Sequence, residues 1–305
     1  MVTRPEAGDP KRYFVFGCGY SAGAFLRTRV PEEIVGATTR SAGKAAQLRA
    51  LGWPPFLFDG GAPGAGIAEA LARTTHLVVS IAPGEDGDPV LRRHGEDLRR
   101  HAPSLRWIGY LSTVGVYGDH GGAWVDEATP PAPTSKRSRE RLEAERAWAA
   151  LADDLDRPLA ILRLSGIYGP GRSPFEKLRA GTARRLVKPG QVFNRIHVDD
   201  IAGALAHLAS ACTSGIFNVT DDEPAPPQDV VAHAADIGGY ACPPEIDFAT
   251  ADLTPMARSF YGENKRVANM ALKRAGYALR FPTFREGLAD CLKRQNAHPP
   301  HGISK

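Results

Sequence analysis

The feature that most constrains this chain is the alternation of short apolar runs with segments patterned as helices. Stretches such as "PVLRRHGEDLRRHAP" and "SRERLEAERAWAALADDL" lie between the runs and suit helices. Strands that are apolar on both faces and alternate with helices indicate a parallel sheet covered on both sides. The sequence therefore predicts an α/β fold with a doubly wound, mostly parallel sheet of about seven strands, and ligands at the carboxyl ends of those strands. The seven runs are "RYFVFG", "EIVGATTR", "PPFLFDG", "THLVVSIAP", "LRWIGYLST", "PLAILRLSG" and "SGIFNVTDD".

Two segments do not fit this sheet, and they predict a smaller second lobe. One is rich in Gly, Pro and Arg, and the other combines helical patterns with the proline-rich "ACPPEIDF". Both chain ends are polar and lack periodicity, so we expect them to be disordered. The expected divisions are a disordered start (1–11), a dinucleotide-binding domain (12–168 plus 195–222), a substrate lobe (169–194 plus 223–292) and a disordered tail (295–305).

The composition excludes several classes of protein. The chain has 305 residues, 43% of them hydrophobic, and a net charge of +4, which is small for a dedicated nucleic-acid binder. Its four cysteines show no metal-ligand spacing. The N-terminus has no apolar run typical of a signal peptide, and no stretch approaches the roughly 18 apolar residues that cross a membrane. We therefore expect a cytoplasmic protein with a small-molecule substrate, without a metal, a nucleic-acid partner or a membrane partner.

A glycine-rich turn follows the first strand in "YFVFGCGYSAGAFL". Gly17, Gly19 and Ala22 give the pattern G-x-G-x-x-A, in which the first glycine permits a tight turn and the second lets backbone approach a pyrophosphate. The third position is small, so that the helix can pack on the strand. The helix start, with Tyr20 and Ser21, then offers N–H groups to the phosphates. A glycine turn without a ligand remains the alternative interpretation.

The ends of the next strands indicate which nucleotide would bind. After the second strand come Arg40 and Ser41, with no carboxylate to hold the ribose hydroxyls of NAD. A guanidinium suits the 2′-phosphate of NADP, so we favour NADP and keep NAD open. The missing acid also counts against a methyltransferase that binds S-adenosylmethionine. Asp59, Ser80 and Ala82 end the third and fourth strands and complete the candidate cofactor residues.

Four motifs in order make the chain resemble the extended-type short-chain dehydrogenases/reductases, in the NAD-dependent epimerase/dehydratase group. They are "LSTVGVYGD", "ILRLSGIYGPGRS", "RIHVDDIAGAL" and "GIFNVTDDEP". The resemblance implies a Rossmann fold, with Ser112 near the cofactor, Thr113 as the catalytic hydroxyl and Tyr117 beside the substrate, where Tyr117 is a further candidate catalytic residue. It further implies that Ser165, Tyr168, Arg172 and Arg195 line the substrate site.

The chain departs from that family at its catalytic Y-x-x-x-K pair, in which tyrosine is the general acid/base. No tyrosine lies between Tyr117 and Tyr168. In one register Ser135 and Arg139 take the two positions, and in the other Arg137 and Arg141 take them. Arg139 is our candidate for the lysine position, although arginine is a poor acid near neutral pH.

The sequence leaves two functions open: an NAD(P)-dependent oxidoreductase or epimerase with a non-standard acid, and a non-catalytic NAD(P)-binding regulatory protein. The family builds a dimer through the helix that carries the arginines. The arginine-rich first turns of that helix leave both monomer and homodimer open here.

Overall fold

The computed structural model describes residues 10–101 and 103–297 of the chain. Its strands are β1 (Tyr13–Phe16), β2 (Ile34–Thr39), β3 (Pro55–Leu57), β4 (His76–Val79), β5 (Trp107–Thr113), β6 (Trp124–Val125), β7 (Leu159–Leu164), β8 (Gly166–Tyr168), β9 (Arg185–Val187), β10 (Arg195–His197), β11 (Gly215–Val219), β12 (Glu245–Asp247) and β13 (Arg266–Val267). Its α-helices are α1 (Tyr20–Leu26), α2 (Ala42–Ala50), α3 (Ile67–Leu71), α4 (Pro89–Arg100), α5 (Lys136–Asp154), α6 (Pro174–Arg179), α7 (Val198–Ser210), α8 (Pro227–Gly238), α9 (Pro255–Ser259), α10 (Met270–Arg274) and α11 (Phe284–Ala297).

Seven strands form one sheet in the order β11-β7-β5-β4-β1-β2-β3. These are the seven apolar runs of the sequence, and β1 pairs with both β2 and β4 in parallel, as β2 does with β3 and β4 with β5. The chain order reverses direction across the sheet between β1 and β4, which makes this the switch point where ligands of such folds bind. The predicted doubly wound, mostly parallel α/β fold is therefore confirmed.

Three short pairs of parallel strands lie outside the large sheet, and the sequence did not predict them. They are β8 with β10, β9 with β12, and β6 with β13. Each strand has only two or three residues. Such short strands carry no readable alternation of apolar and polar residues, because one or two side chains on a face do not make a pattern.

Contacts divide the chain into two compact units. The first comprises residues up to Ser112 with Arg139–Leu162 and Ala202–Ile216, and the second comprises Thr113–Ser138, Arg163–Ile201 and the chain from Phe217 onward. The second unit thus includes 113–138, which the sequence analysis assigned to the dinucleotide-binding domain. The boundaries expected from the sequence stay a prediction.

Each unit has its own hydrophobic core. In the first, Phe14, Val79, Ile108 and Trp148 are among the buried side chains that join the sheet to its helices. In the second, Phe175 and Phe284 are 0% and 1% exposed and bring α6, α8 and α11 together. Burying a large side chain of this kind stabilises the folded state by roughly 1.5–3 kcal/mol.

Asp88 connects two helices of the first unit. Its carboxylate caps α4 by accepting from the backbone N–H of Val90 at 2.8 Å and of Leu91 at 3.2 Å. The other carboxylate oxygen accepts from the indole N–H of Trp148 on α5 at 3.0 Å. A single side chain therefore satisfies the free N–H groups at the start of α4 and fixes the face that α5 turns toward the sheet.

The expected tail needs one correction at its start. Residues 295–297 belong to α11, which continues through Ala297, whereas the sequence analysis placed them in a disordered segment. The helix extends because its inner face is anchored by Phe284, Leu288 and Cys291, which are 1–2% exposed. The remaining expected disorder, at 1–9 and 298–305, falls outside the described residues. Within the described part of the chain, no helix has the length and hydropathy needed to cross a membrane.

Candidate functional site

The glycine turn lies directly after β1, at the switch point of the sheet. Gly17 has φ +90°, a left-handed conformation that favours glycine. A Cβ at this position would lie 2.8 Å from Ile81 Cγ1 and 3.0 Å from the Ile81 backbone N, so a side chain does not fit. The Gly17 N–H is held by Thr38 Oγ1 at 2.8 Å, at the end of β2. The turn is therefore pinned between β2 and the segment that follows β4.

The start of α1 offers backbone donors beside open space. Gly19 precedes the helix, and within the described residues no side chain caps it. A Cβ on Gly19 would meet nothing within 4 Å, so the backbone of the turn is open on this side. Tyr20 is half-buried, while Ser21 and Ala22 are 7% and 0% exposed, so α1 packs closely against the sheet.

The ends of β2 and β3 carry the residues expected to read the adenosine half. Arg40 is exposed immediately after β2, and Ser41 caps α2 by accepting from the Lys44 N–H at 3.2 Å. Asp59 is exposed and accepts from the Gly61 N–H at 2.8 Å, within its own turn. Arg40 therefore presents a cation at the edge of the site, whereas Asp59 already supports a local turn.

The segment after β4 completes the crevice. Ser80 and Ile81 are half-buried and Ala82 is exposed. The Ser80 backbone N–H donates to Phe16 O at 2.8 Å, which keeps this segment in register with β1. The structure thus brings Gly17, Ser80 and Ile81 together, as the motif predicts for a nucleotide crevice.

Helix α5 directs Arg141, and not Arg139, toward the strand ends of the first unit. Arg139 is exposed, whereas Arg141 is half-buried. Arg141 Nη1 donates to Leu111 O at 2.9 Å, to the Tyr110 hydroxyl at 3.2 Å and to Ile81 O at 3.3 Å. The placement of Arg141 agrees with the register in which Arg137 and Arg141 take the tyrosine and lysine positions of Y-x-x-x-K.

Ser112, a predicted cofactor residue, has its hydroxyl committed inside the first unit. Ser112 is 5% exposed and Glu145 is 3% exposed. The Ser112 hydroxyl donates to Glu145 Oε1 in a short hydrogen bond. Glu145 lies one helical turn after Arg141, so both side chains project from the same face of α5. The serine therefore fastens α5 to β5.

Three hydroxyl groups meet near Thr113 in the second unit. Thr113 is half-buried, and its Oγ1 accepts from the Gly115 N–H at 3.1 Å. A Cβ placed on Gly115 would lie 2.7 Å from Ser138 Oγ and 3.3 Å from Thr113 Oγ1, so these two hydroxyls flank one point. Exposed Ser135 donates its hydroxyl to Ser138 Oγ at 2.9 Å. The predicted catalytic hydroxyl thus has Ser138 near it, and Ser138 in turn accepts from Ser135, the residue at the tyrosine position of the first register. The sequence analysis missed Ser138, because a helix start does not show which side chains turn inward.

The two tyrosines that border the gap are buried in the second unit. Tyr117 is 0% exposed and donates to Asn218 Oδ1 at 2.8 Å, with the Arg163 guanidinium 4.9 Å from its ring centre. Tyr168 is 7% exposed and packs edge-on against His197. Burial raises the pKa of both phenols above the usual value of 10. Neither hydroxyl is therefore suited to exchange protons near neutral pH.

The remaining predicted substrate residues have separate environments. Ser165 is buried and donates to Val219 O at 3.3 Å. Arg172 is exposed in the turn after β8. Arg195 donates from Nη1 to Phe193 O at 2.9 Å and Ala225 O at 3.0 Å. Of the two predicted anion-binding arginines, Arg195 joins two backbone segments of the second unit, and Arg172 is the one presented to solvent.

Asp221 is a buried acid that the sequence analysis did not single out. It is 1% exposed, and its Oδ1 accepts from the Glu223 N–H at 3.3 Å. Burial raises the pKa of Asp221 to about 8. The sequence gives no sign of this, because "TDDEP" shows three neighbouring acids without showing which one is enclosed.

A cluster of His197, Asp199 and Asp290 has the spacing of a metal site, with ligand atoms within 4.8 Å of one another. Arg294, however, donates to Asp199 Oδ2 and forms an ion pair with Asp290, in which Nε lies 2.8 Å from Asp290 Oδ2. His197 Nδ1 accepts from the Asp199 N–H at 3.2 Å, and burial lowers the pKa of the imidazole. Since Arg294 supplies the positive charge, the cluster is an ion-pair network joining α7 to α11.

A parallel sheet with a glycine turn at its switch point defines a doubly wound protein of the dinucleotide-binding type. Comparison with known proteins supports this fold class. The NAD dependent epimerase/dehydratase family matches residues 98–220. A solved structure of a functionally unknown conserved protein from Silicibacter pomeroyi is 47% identical over 93% of this chain and 99% of that chain, with a TM-score of 0.86. Residues 98–220 are thus similar to the NAD dependent epimerase/dehydratase family, and the Silicibacter pomeroyi protein shares the fold over nearly the whole chain.

Two curated relatives match part of the chain. Protein YeeZ of Escherichia coli is 35% identical over 37% of this chain, and the match spans 39% of that protein's length. A 3-diazoavenalumate denitrifying reductase from a Streptomyces species is 28% identical over 54% of this chain and 55% of its own length. Both matches cover too little of the relatives to transfer a whole-protein activity.

Proposed function

We propose that the protein is an NADP-dependent oxidoreductase or epimerase that acts on a small polar carbonyl or sugar-like substrate. The observation that carries this proposal is the exposed Arg40, which directly follows β2 where an NAD-binding chain would keep a carboxylate. A guanidinium forms paired, charge-assisted hydrogen bonds with a phosphate. The match of residues 98–220 to the NAD dependent epimerase/dehydratase family and the reductase among the relatives support the class of reaction.

The residues of the first unit fit such a cofactor. Gly17 permits the tight turn against Ile81, Gly19 leaves open space beside the start of α1, and the free N–H groups of that helix start would bind a pyrophosphate there. Arg40 and Ser41 would hold the 2′-phosphate, with Ser80 and Ala82 on the other side of the crevice. When bound, NADPH supplies a hydride. The protein's own contribution is to fix the nucleotide and to exclude alternative positions.

The second unit supplies the group that would orient the substrate. Thr113 would donate to the reacting oxygen, as the family resemblance implies, and the serine hydroxyls beside it extend the polar surface toward exposed Ser135. Buried Tyr117 and Tyr168 are poor proton donors because their pKa values are raised. Proton transfer through the hydroxyls around Thr113, with water as the final source, is therefore the route we favour. Arg172, which is exposed after β8, would attract anionic groups of the substrate.

A second function, a non-catalytic NADP-binding regulatory protein, is favoured by one specific observation. The helix that should carry Y-x-x-x-K has neither residue, and losing a general acid typically removes about 10²–10⁴-fold in rate. Both functions require the same cofactor site. They differ in whether bound NADPH is ever oxidised.

Titration calorimetry on wild type and Arg40→Ala tests the cofactor site. We expect NADPH to bind more tightly than NADH, and Arg40→Ala to weaken NADPH about 10-fold or more while NADH affinity is unchanged. A charge-assisted pair contributes roughly 1.5–3 kcal/mol, which corresponds to that range. Arg49→Ala, an exposed arginine in the last turn of α2, is the matched control. Equal NADPH affinity in wild type and Arg40→Ala would refute the assignment of Arg40.

Turnover separates the two functions. With NADPH bound, absorbance at 340 nm is followed against a panel of aldehydes, ketones and sugar nucleotides. We expect oxidation that falls strongly in Thr113→Ala and survives in Thr113→Ser, which keeps the hydroxyl. An epimerase consumes no NADPH overall, so the sugar nucleotides are also incubated with NADP+ and analysed for epimerised product by chromatography. Tight cofactor binding with neither oxidation of NADPH nor an epimerised product would favour the regulatory protein.

A further inference from the structure

A groove with a volume of about 660 Å³ lies along α8 and α11 of the second unit. Its α11 side runs from Arg285 to Asn296, with Ala289 and Leu292 on the same stripe, because residues three or four positions apart share one face of a helix. At a rise of 1.5 Å per residue, this stripe is about 16 Å long. Pockets for small molecules have volumes of roughly 300–1,000 Å³, so the groove has the size of a ligand site.

The wall of the groove is apolar. Ile237 of α8 and Leu292 of α11 are half-buried, and both pack against the hydrophobic core of the second unit. Ala289 lines the same groove and is exposed. Because the core holds the inner sides of Ile237 and Leu292 in place, the groove offers a ligand a fixed apolar surface. Covering that surface removes it from water, which favours binding of an apolar group.

Two charged residues along the groove, Arg285 and Glu286, already have partners. The Arg285 guanidinium donates from Nη2 to Glu223 Oε1 at 3.0 Å. Glu286 accepts from the Thr283 hydroxyl and from the Thr283 N–H at 2.9 Å, and these bonds lower the pKa of its carboxyl. An acid therefore compensates the Arg285 charge, and the Glu286 carboxylate is engaged at the start of α11.

His233 contributes a polar group without charge. Its Nδ1 lies 3.5 Å from Arg285 Nη1, and its ring packs edge-on against Phe284. Burial and the neighbouring Arg285 charge lower the pKa of the imidazole below its usual 6.5, so the ring is neutral at pH 7. Because a guanidinium only donates, Nδ1 is the acceptor and the proton of the ring lies on Nε2.

Lys293 carries the uncompensated charge of the groove. It is exposed on α11, directly after Leu292. Asp290, one turn earlier, pairs with Arg294, whose Nε lies 2.8 Å from Asp290 Oδ2. Within the part of the chain that the structure describes, no carboxylate lies within 4.0 Å of the Lys293 ammonium group. A cation beside an apolar wall is complementary to an anion that carries an apolar body.

We infer that this groove binds a small organic anion with an apolar body, such as an aryl sulfonate or a medium-chain carboxylate. The apolar body lies on Ile237, Ala289 and Leu292, and the anionic group pairs with the Lys293 ammonium. The groove belongs entirely to the second unit, so this inference goes beyond the proposed function and does not require a dinucleotide.

The dimensions of the groove favour a small molecule over a protein partner. A stable protein interface buries about 800 Å² on each partner. A groove about 16 Å long and one helix pair wide provides much less than that area. The occupant is therefore a ligand that fits between two helices.

Fluorescence titration of the full-length protein with 8-anilinonaphthalene-1-sulfonate tests the site, because the emission of this aryl sulfonate rises in apolar surroundings. We expect saturable binding that Lys293→Ala weakens about 5-fold, the loss that an exposed ion pair produces. Ala289→Glu places a negative charge at an exposed position in the middle of the groove and should weaken binding about 10-fold or more. Decanoate should displace the sulfonate. Lys177→Ala, which removes the same charge from an exposed position on α6, is the control.

Each contrary result rejects the site. The inference is overturned if Lys293→Ala or Ala289→Glu binds the sulfonate as wild type does. It is also overturned if Lys177→Ala weakens binding as much as Lys293→Ala, because net charge alone would then explain the loss. Displacement of the sulfonate by saturating NADPH would place it in the dinucleotide crevice instead, and absence of saturable binding to wild type would reject the groove as a ligand site.

Discussion

Asp221 shows how a single buried side chain can set a pH dependence. Its carboxyl group is 1% exposed, and burial raises its pKa from 3.8 to about 8. Between those values the folded protein keeps the proton that the unfolded chain has released. Stability therefore falls as pH rises through this window, by up to about 1.4 kcal/mol per pH unit for one proton.

We predict that Asp221→Asn removes this loss. The amide keeps the acceptor for the Glu223 N–H but cannot ionise. Urea unfolding between pH 6.5 and 8 should show wild type losing stability with rising pH and Asp221→Asn losing less. Asp252→Asn, at an exposed acid, is the control. Parallel pH curves for wild type and Asp221→Asn would mean that Asp221 ionises normally in the folded state.

The sequence alone could not predict buried, ionisable side chains of this kind. The motif predicted Gly17, Gly19 and Arg40, because each needs only its place in the local strand–turn–helix order. The choice between Arg139 and Arg141 needed the rotation of α5, and two residues along a helix turn a side chain by about 200°. Burial of Asp221 required knowledge of residues far away along the chain.

At the scale of elements, α11 is fitted to β8 by one close contact. A Cβ on Gly287 would lie 1.9 Å from the Tyr168 hydroxyl oxygen and 2.7 Å from Cζ. The tyrosine hydroxyl has no hydrogen-bond partner among the described residues. The helix thus approaches the strand as closely as it does because Gly287 has no side chain.

We predict that Gly287→Ala destabilises the protein by about 1–3 kcal/mol, the usual cost of overpacking. Adding Tyr168→Phe should restore part of the loss, since the closest atom is then absent while Cζ remains. Thermal or urea unfolding of the two single variants and the double variant measures this coupling. Strictly additive losses would show that the two positions do not interact. Ala289→Gly, also in α11, is the control, because it measures the ordinary loss of stability when glycine replaces alanine in a helix. Gly239→Ala would not serve as a control, because Gly239 has φ +67°, which alanine does not readily adopt.

The elements themselves were largely predictable. All seven strands of the large sheet were found, because strands buried on both faces appear as continuous apolar runs. The paired strands of the second unit were missed, because two or three residues carry no periodicity. The end of α11 was placed too early, because "QNA" is polar although packing earlier in the helix sustains it.

At the scale of the whole molecule, both units bury a histidine that stays neutral. His76 is 2% exposed in the first unit, where burial lowers its pKa to about 4. His197 is 0% exposed in the second unit, and burial lowers its pKa as well. In the unfolded chain, both imidazoles take up a proton near pH 6.5, whereas in the folded protein they stay neutral. Both histidines therefore contribute stability that is lost as the pH falls below that value.

The buried histidines predict an acid-side pH dependence that a variant isolates. Below about pH 6.5, each neutral histidine makes stability fall as the pH falls, because the unfolded chain takes up a proton that the folded chain does not. Calorimetric melting temperatures of wild type and His76→Gln from pH 4.5 to 8.5 measure this contribution. His76→Gln should lose less stability than wild type between pH 6.5 and 4.5 and should follow wild type above pH 7. Identical acid-side curves for the two proteins would contradict this account.

The contact between Gly287 and Tyr168 also constrains how relatives of this chain can diverge. A lineage that gains a side chain at 287 loses stability unless the tyrosine at 168 has already been replaced or α11 has moved outward, since the two groups would compete for the same volume. Substitutions at these positions, 119 residues apart, should therefore be inherited together, with the smaller residue at 168 appearing first. The distance between a Cβ at 287 and the Tyr168 hydroxyl oxygen thus predicts the order in which the two substitutions arise.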